Sequence, residues 1–165
     1  MKRLLIKTLF IASLIAATAS CGFQLRGEQT LPFATFAVKA SGNLIAPKVR
    51  ELVAKNVQHT KLIENTAQAD GVLEILSEEQ EKVITALSSA GRVREYELRL
   101  RVRFRLTDKN ADVLIPPTEL KLFRILPYDE LQVLGKGEEE ALLFTDMESD
   151  IAAQIMRRVA AATPK

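Results

Sequence analysis

The chain has 165 residues, 47% hydrophobic and 27% charged, which excludes a disordered or collagen-like polypeptide and suits one globular domain. Its formal charge of +2 comes from the first twenty residues, which carry Lys2, Arg3 and Lys7 and no acid; the remainder has 20 basic and 21 acidic residues, a balance that argues against a nucleic-acid binder. One cysteine, Cys21, excludes an internal disulfide, and one histidine, His59, leaves no nitrogen and sulfur set for a zinc site.

The first twenty residues have the three parts of a secretory leader. A basic start is followed by an apolar run from Leu9 to Ala17, broken only by Ser13, and then by the small residues Thr18, Ala19 and Ser20. The run is shorter than the roughly 20 residues needed to cross a bilayer, so an export signal is preferred to a membrane-spanning anchor. Thr18-Ala19-Ser20-Cys21 resembles a bacterial lipobox, with threonine where the pattern prefers leucine. That resemblance implies cleavage before Cys21 and a lipidated cysteine bearing an S-diacylglycerol and an N-acyl chain. More than one chain is needed for firm anchoring, because each buried methylene contributes about 0.8 kcal/mol and a single chain binds marginally. Gly22 stands where lipoproteins kept at the inner membrane typically have aspartate, which implies delivery to the outer membrane, with residues 21–165 as a single periplasmic domain.

Beyond the leader, Phe33 to Ala40 is apolar and β-prone and is predicted as a first strand, ended by Ser41, Gly42 and Asn43. Pro47 suits a first helical turn, and Ile45, Val49, Leu52, Val53 and Val57 follow helical spacing in a helix ending near His59, a surface position at its terminus. Gly71 to Ser77 opens a second strand that continues through Glu78 to Lys82 into Val83, Ile84 and Leu87, before a turn at Ser88 to Gly91. The clearest segment follows: Tyr96, Leu98, Leu100, Val102, Phe104 and Leu106 alternate with Glu95, Glu97, Arg99, Arg101, Arg103, Arg105 and Thr107. Strict period-two alternation over this length predicts a long strand with one buried face. Asp108 to Asp112 is a turn, Pro116 and Pro117 are excluded from a central strand, and Thr118 to Ile125 forms the last strand. Glu138 to Ala162 is predicted as one long helix with Leu143, Phe144, Met147, Ile151, Ile155 and Val159 on one face. The predicted fold is α+β: two helices packed on one face of a four-stranded, mainly antiparallel sheet, in the order β-α-β-β-β-α.

Catalysis has little to stand on. A serine triad would need His59 as its base, and neither a Gly-x-Ser-x-Gly elbow nor a phosphate-binding glycine loop is present, so no catalytic residues, cofactor or metal are expected.

Several segments resemble one family. Cys21-Gly22-Phe23-Gln24-Leu25-Arg26-Gly27, Arg94-Glu95-Tyr96-Glu97-Leu98, Leu134-Gly135-Lys136 with the acids after it, Asp150-Ile151-Ala152 and Ile155-Met156-Arg157-Arg158 follow, in order, the pattern of the lipopolysaccharide-assembly lipoprotein LptE family. The resemblance implies a lipid-anchored outer-membrane protein that plugs and helps assemble the LptD β-barrel, as a 1:1 complex, and takes part in inserting lipopolysaccharide into the outer leaflet. It implies no covalent chemistry.

The basic residues have two readings each. Arg99, Arg101, Arg103 and Arg105 form a ladder that is either paired across strands, with Glu74, Glu78, Glu81 or Glu119, or turned toward acidic groups of the barrel lumen or lipopolysaccharide phosphates. Arg92 and Arg94 flank a hairpin tip that the resemblance implies is a lipopolysaccharide contact; here Ser89 occupies the family's basic place before the turn, and a solvated loop is the alternative. Lys136, in the loop before the last helix, matches a family lysine assigned to lipopolysaccharide binding, although Glu138 to Glu140 oppose the attraction of a helix N-terminus for anions. Two other functions remain open on the sequence: a free-standing periplasmic lipoprotein that binds an amphiphile, and a scaffold lipoprotein contacting peptidoglycan.

Overall fold

The computed structural model describes residues 31–40, 51–53, 55, 57, 60–129 and 135–162. The leader, Cys21 and the motif after it, Ile45, Pro47, Val49, His59 and Leu134 lie outside the described residues. The strands are β1 (Thr35–Ala40), β2 (Lys61–Leu62), β3 (Gly71–Leu87), β4 (Val93–Asp108) and β5 (Val113–Pro127), followed by a C-terminal helix, Lys136–Ala161. Glu51, Leu52, Val53 and Lys55, between β1 and β2, are helical, in agreement with the predicted first helix.

The strands form one sheet in the order β2-β1-β3-β4-β5. β1 runs parallel to both β2 and β3, whereas β3, β4 and β5 form an antiparallel meander. The sheet is therefore mixed and five-stranded, not four-stranded and mainly antiparallel. The additional strand has two residues, both exposed, and so carries no periodicity to read. Parallel neighbours need a crossover, and the helical segment supplies it between β1 and β2, while the short 3-10 turn Thr66–Gln68 leads from β2 to β3 on the other side of β1.

β4 is central to the meander and shows its alternation in full. Leu98, Leu100, Val102, Phe104 and Leu106 are completely buried. The C-terminal helix covers them with Met147, Ile151, Ile155 and Val159, all fully buried, while Leu143 and Phe144 pack at the margin. Val53 from the first helical segment and Phe36 and Leu73 from β1 and β3 complete the same core. The predicted apolar stripe of the long helix is thus the packed one, and the helix begins at Lys136, two residues before the predicted start.

The two prolines lie within a strand after all. β5 is an edge strand, and the ladder slips between the Phe104↔Thr118 and Leu106↔Ile115 pairs, so Pro116 and Pro117 occupy an irregularity where no ladder bond is required. At the opposite end, the entry to β3 is held by a short-range lock: the Asp70 carboxylate accepts from the Thr35 backbone N–H at 3.0 Å and from the Thr35 hydroxyl at 2.8 Å. These bonds hold the Asp70 carboxyl below its ordinary range. Next to it, a Cβ on Gly71 would lie 2.8 Å from the Phe33 ring, so only glycine admits this close approach of β3 to the core.

Phe104 and Phe123 lie on opposite faces of the sheet, one buried and one 63% exposed. Phe104→Ala should lower the unfolding free energy by about 3–5 kcal/mol, whereas Phe123→Ala should stay within about 0.5 kcal/mol. Urea denaturation of the two variants checks this; similar losses in both would contradict the facing described.

Candidate functional site

The outer face of the sheet carries charge in rows. β3 presents Glu74, Glu79 and Glu81; β4 presents Arg99, Arg101, Arg103 and Arg105; β5 presents Glu119, Lys121, Phe123 and Ile125. Arg105 binds Glu74 through both Nε, at 2.7 Å, and Nη2, at 2.6 Å. Arg101 Nη2 lies between Glu79, at 3.0 Å, and Glu81, at 2.6 Å. Arg99 pairs with Glu97 on its own strand at 2.5 Å. Arg103 makes no ion pair within 4.0 Å among the described residues and stands across from Glu119. Lys121 bonds the Glu119 carboxylate and, with the charges of Arg101 and Arg103, keeps its pKa below the ordinary value. The ladder is therefore largely compensated within the sheet. Its surface is polar and near neutral, and Arg103 is its most available guanidinium.

One expected acid is on the other side. Glu74 and Glu78, four residues apart, would share a face in a regular strand, but the register shifts between Ile75 and Ser77. The extra residue, Leu76, inverts the alternation, and Glu78 turns under the C-terminal helix with Gln80 and Lys82 behind it. There Gln80 Nε2 donates to Glu148 Oε1 at 3.0 Å, and Lys82 Nζ lies 2.6 Å from Glu140 and 4.3 Å from the centroid of the Tyr96 ring. Glu78 is 8% exposed, and neither of its oxygens has a hydrogen-bond partner among the described residues. Burial, and then the charge of Glu148, push its carboxyl up to about 7. This polar layer was not anticipated, although Glu148 gives a readable signal: it falls one turn after Phe144 and one turn before Ala152, on the apolar side of the helix.

The three predicted lipopolysaccharide contacts stand on two elements, Arg92 and Arg94 at the β3–β4 hairpin and Lys136 at the start of the C-terminal helix. Arg92 and Arg94 are exposed beside the β3–β4 turn, where the Arg94 carbonyl accepts from the Tyr128 N–H at 2.9 Å. Tyr128 meets Tyr96 edge-on, with ring centroids 5.2 Å apart. Tyr96 carries Lys82, and Lys82 reaches Glu140, one turn beyond Lys136. Contacts therefore run from the hairpin to the first turn of the C-terminal helix. Lys136 is the first residue of that helix rather than a loop residue, after Gly135 at φ 92°, a left-handed conformation that suits glycine. Its Nζ is 2.7 Å from Glu139, and its side chain is 20% exposed. Cys21 lies outside the described residues.

Among the described residues there is no cluster of three potential metal ligands and no helix long and apolar enough to cross a membrane. The fold is a small α+β domain whose open sheet face is polar. Comparison with known proteins makes this specific. The model of a family described as lipopolysaccharide-assembly, LptE, matches residues 33–159. The LPS-assembly lipoprotein LptE of Pectobacterium atrosepticum is 24% identical over 157 residues, covering 92% of this chain and 83% of its own. A solution structure of an uncharacterized lipoprotein B from Nitrosomonas europaea superposes with a TM-score of 0.70 at 37% identity, over 85% of this chain and 91% of that one. The rare lipoprotein B of Shewanella oneidensis, 22% identical, shares the fold with a TM-score of 0.66 over 77% of this chain and 94% of its own. The chain belongs to the LptE family of lipopolysaccharide-assembly proteins. It is accordingly a lipoprotein of outer-membrane biogenesis in the Gram-negative envelope, and not an enzyme.

The buried Glu78 makes stability depend on pH. Its folded pKa of about 7 exceeds the ordinary glutamate value of 4.5, so the unfolded chain releases this proton first and the fold loses stability as pH rises between those values. Glu78→Gln should flatten that slope and stabilise the protein at pH 8 by up to about 3 kcal/mol. Denaturation curves at pH 5 and pH 8 read this directly; a variant that is less stable at pH 8 would show that the carboxylate has a partner after all.

Proposed function

We propose that the protein is cut before Cys21, lipidated there and anchored in the outer membrane, where residues 21–165 face the periplasm and sit in the lumen of the LptD β-barrel as a 1:1 plug. In this reading it helps the barrel assemble and takes part in delivering lipopolysaccharide to the outer leaflet. The observation that supports it, together with family membership, is the relay of contacts that links Arg94 through Tyr128, Tyr96 and Lys82 to Glu140, one turn beyond Lys136. These cations are suited to the phosphates of lipopolysaccharide, a lysine as a point charge and an arginine as a planar fork. The compensated ladder of Arg99, Arg101, Arg103 and Arg105 supports the plug role differently. Barrel lumens are polar, and a surface whose charges are largely paired, with Arg103 left for an acidic group of the lumen, suits such a space.

Replacing Arg92, Arg94 and Lys136 together by serine should weaken binding to lipopolysaccharide by roughly ten-fold or more at low salt; Arg92 and Arg94 are exposed and contribute little to folding, so any fall in melting temperature should come from Lys136 and its ion pair with Glu139. Unchanged affinity at low salt would remove these residues from the contact. Glu139→Gln should have the opposite effect, since it releases the Lys136 ammonium from its ion pair. Affinity purification of the lipidated chain tests the partnership: a large β-barrel recovered in equal amount supports it, and recovery of the chain alone favours a free-standing amphiphile-binding or scaffold lipoprotein.

A further inference from the structure

β5 is the last strand of the sheet, and its backbone shows which groups it leaves open. The Tyr128 N–H donates to the Arg94 carbonyl, and the register continues through Tyr96↔Leu126, Leu98↔Arg124, Leu100↔Leu122 and Val102↔Leu120. Antiparallel pairing alternates, so the even-numbered residues of this stretch turn their N–H and C=O groups toward β4, and Glu119, Lys121, Phe123 and Ile125 turn theirs away from it. The Phe123 carbonyl confirms this parity, since it accepts from Arg124 Nη1 at 3.1 Å instead of from β4. The open run is bounded at both ends by prolines of the same parity, Pro117 and Pro127, whose missing N–H groups would also point outward.

These positions are symmetric about Leu122. We infer that β5 is a self-complementary pairing edge, and that a second copy of this chain adds to it antiparallel about a two-fold axis at Leu122. In that register Glu119 faces the second copy's Ile125, and Lys121 faces its Phe123. All the open N–H groups find carbonyls, and Pro117 falls opposite Pro127, where none is needed. The side chains agree with this arrangement. Phe123 and Ile125 are 63% and 43% exposed and lie side by side on the outer face. Pairing seats each Phe123 ring against a lysine ammonium, a favourable contact, and removes both apolar groups from water. Lysine and proline are also the residues that keep an edge from open-ended aggregation, and here they confine pairing to a short closed stretch. Edge pairing of this length buries little surface compared with an obligate dimer, so the association is weak and depends on concentration. The inference does not rest on the lipopolysaccharide role.

The test uses the full chain, purified in mild detergent without the barrel and followed by native mass spectrometry through a dilution series. The natural chain should show a dimer that dissociates on dilution. Lys121→Pro removes an outward N–H and no bond to β4, and should abolish the dimer without lowering the melting temperature. Phe123→Lys, at an exposed site that does not threaten folding, places like charges face to face and should weaken pairing at least ten-fold, whereas Phe123→Glu should preserve or tighten it. A monomer at every concentration, or a dimer indifferent to both Phe123 substitutions, would overturn the inference.

Discussion

β4 cannot bury both of its faces, and the rest of the molecule is arranged around that constraint. Five apolar side chains on one face require a cover, and four guanidinium groups on the other require counter-charges or water. The C-terminal helix provides the cover, with a stripe of Met147, Ile151, Ile155 and Val159. β3 provides most of the counter-charge, with a row of glutamates in register with the arginines. Neither solution would be available if β4 lay at an edge, because a central strand needs a neighbour on each side to satisfy its backbone and its charges together.

The bulge at Leu76 allows one strand to serve two environments. Before it, β3 contributes Leu73 and Ile75 to the dry core and Glu74 to the outer face. After it, the core-side positions become Glu78, Gln80 and Lys82, so the space under the first half of the helix is polar while the second half packs on hydrocarbon. Interiors that bury a carboxylate without a hydrogen-bond partner give up stability, and proteins retain such groups where adaptability or specificity matters more. The helix end resting on this layer is also the end that carries Lys136.

The sheet face offers a broad, polar surface whose charges are largely compensated. The hairpin carries Arg92 and Arg94 together with two exposed apolar residues, Ile84 and Leu87, while at the start of the helix Lys136 is paired with Glu139. Tyr96 and Tyr128 tie this end to the sheet through an edge-on ring pair, so the cations stand on a structured support and not on a free loop.

How much of this could be read from residues alone follows from the range of the interactions involved. The pleat repeats every two residues and the helix every 3.6, so the alternation at 95–107 and the stripe from Met147 to Val159 determined which faces are buried without knowledge of the partners. The expectation of a leader and of a lipidated Cys21 rests on contiguous residues in the same way. The rest depended on which segments meet in space. The pairing of β1 with β2 joins residues 26 positions apart through two exposed residues with no pattern of their own, as in Thr35↔Lys61. Inversion of Glu78 requires a bulge defined only against β4, and the tolerance of Pro116 and Pro117 requires knowing that β5 is the last strand in the sheet order. Local periodicity decides what each segment presents; only the closed chain decides what it is presented to, because the cost of bringing distant segments together is set by the whole topology and not by any stretch of it.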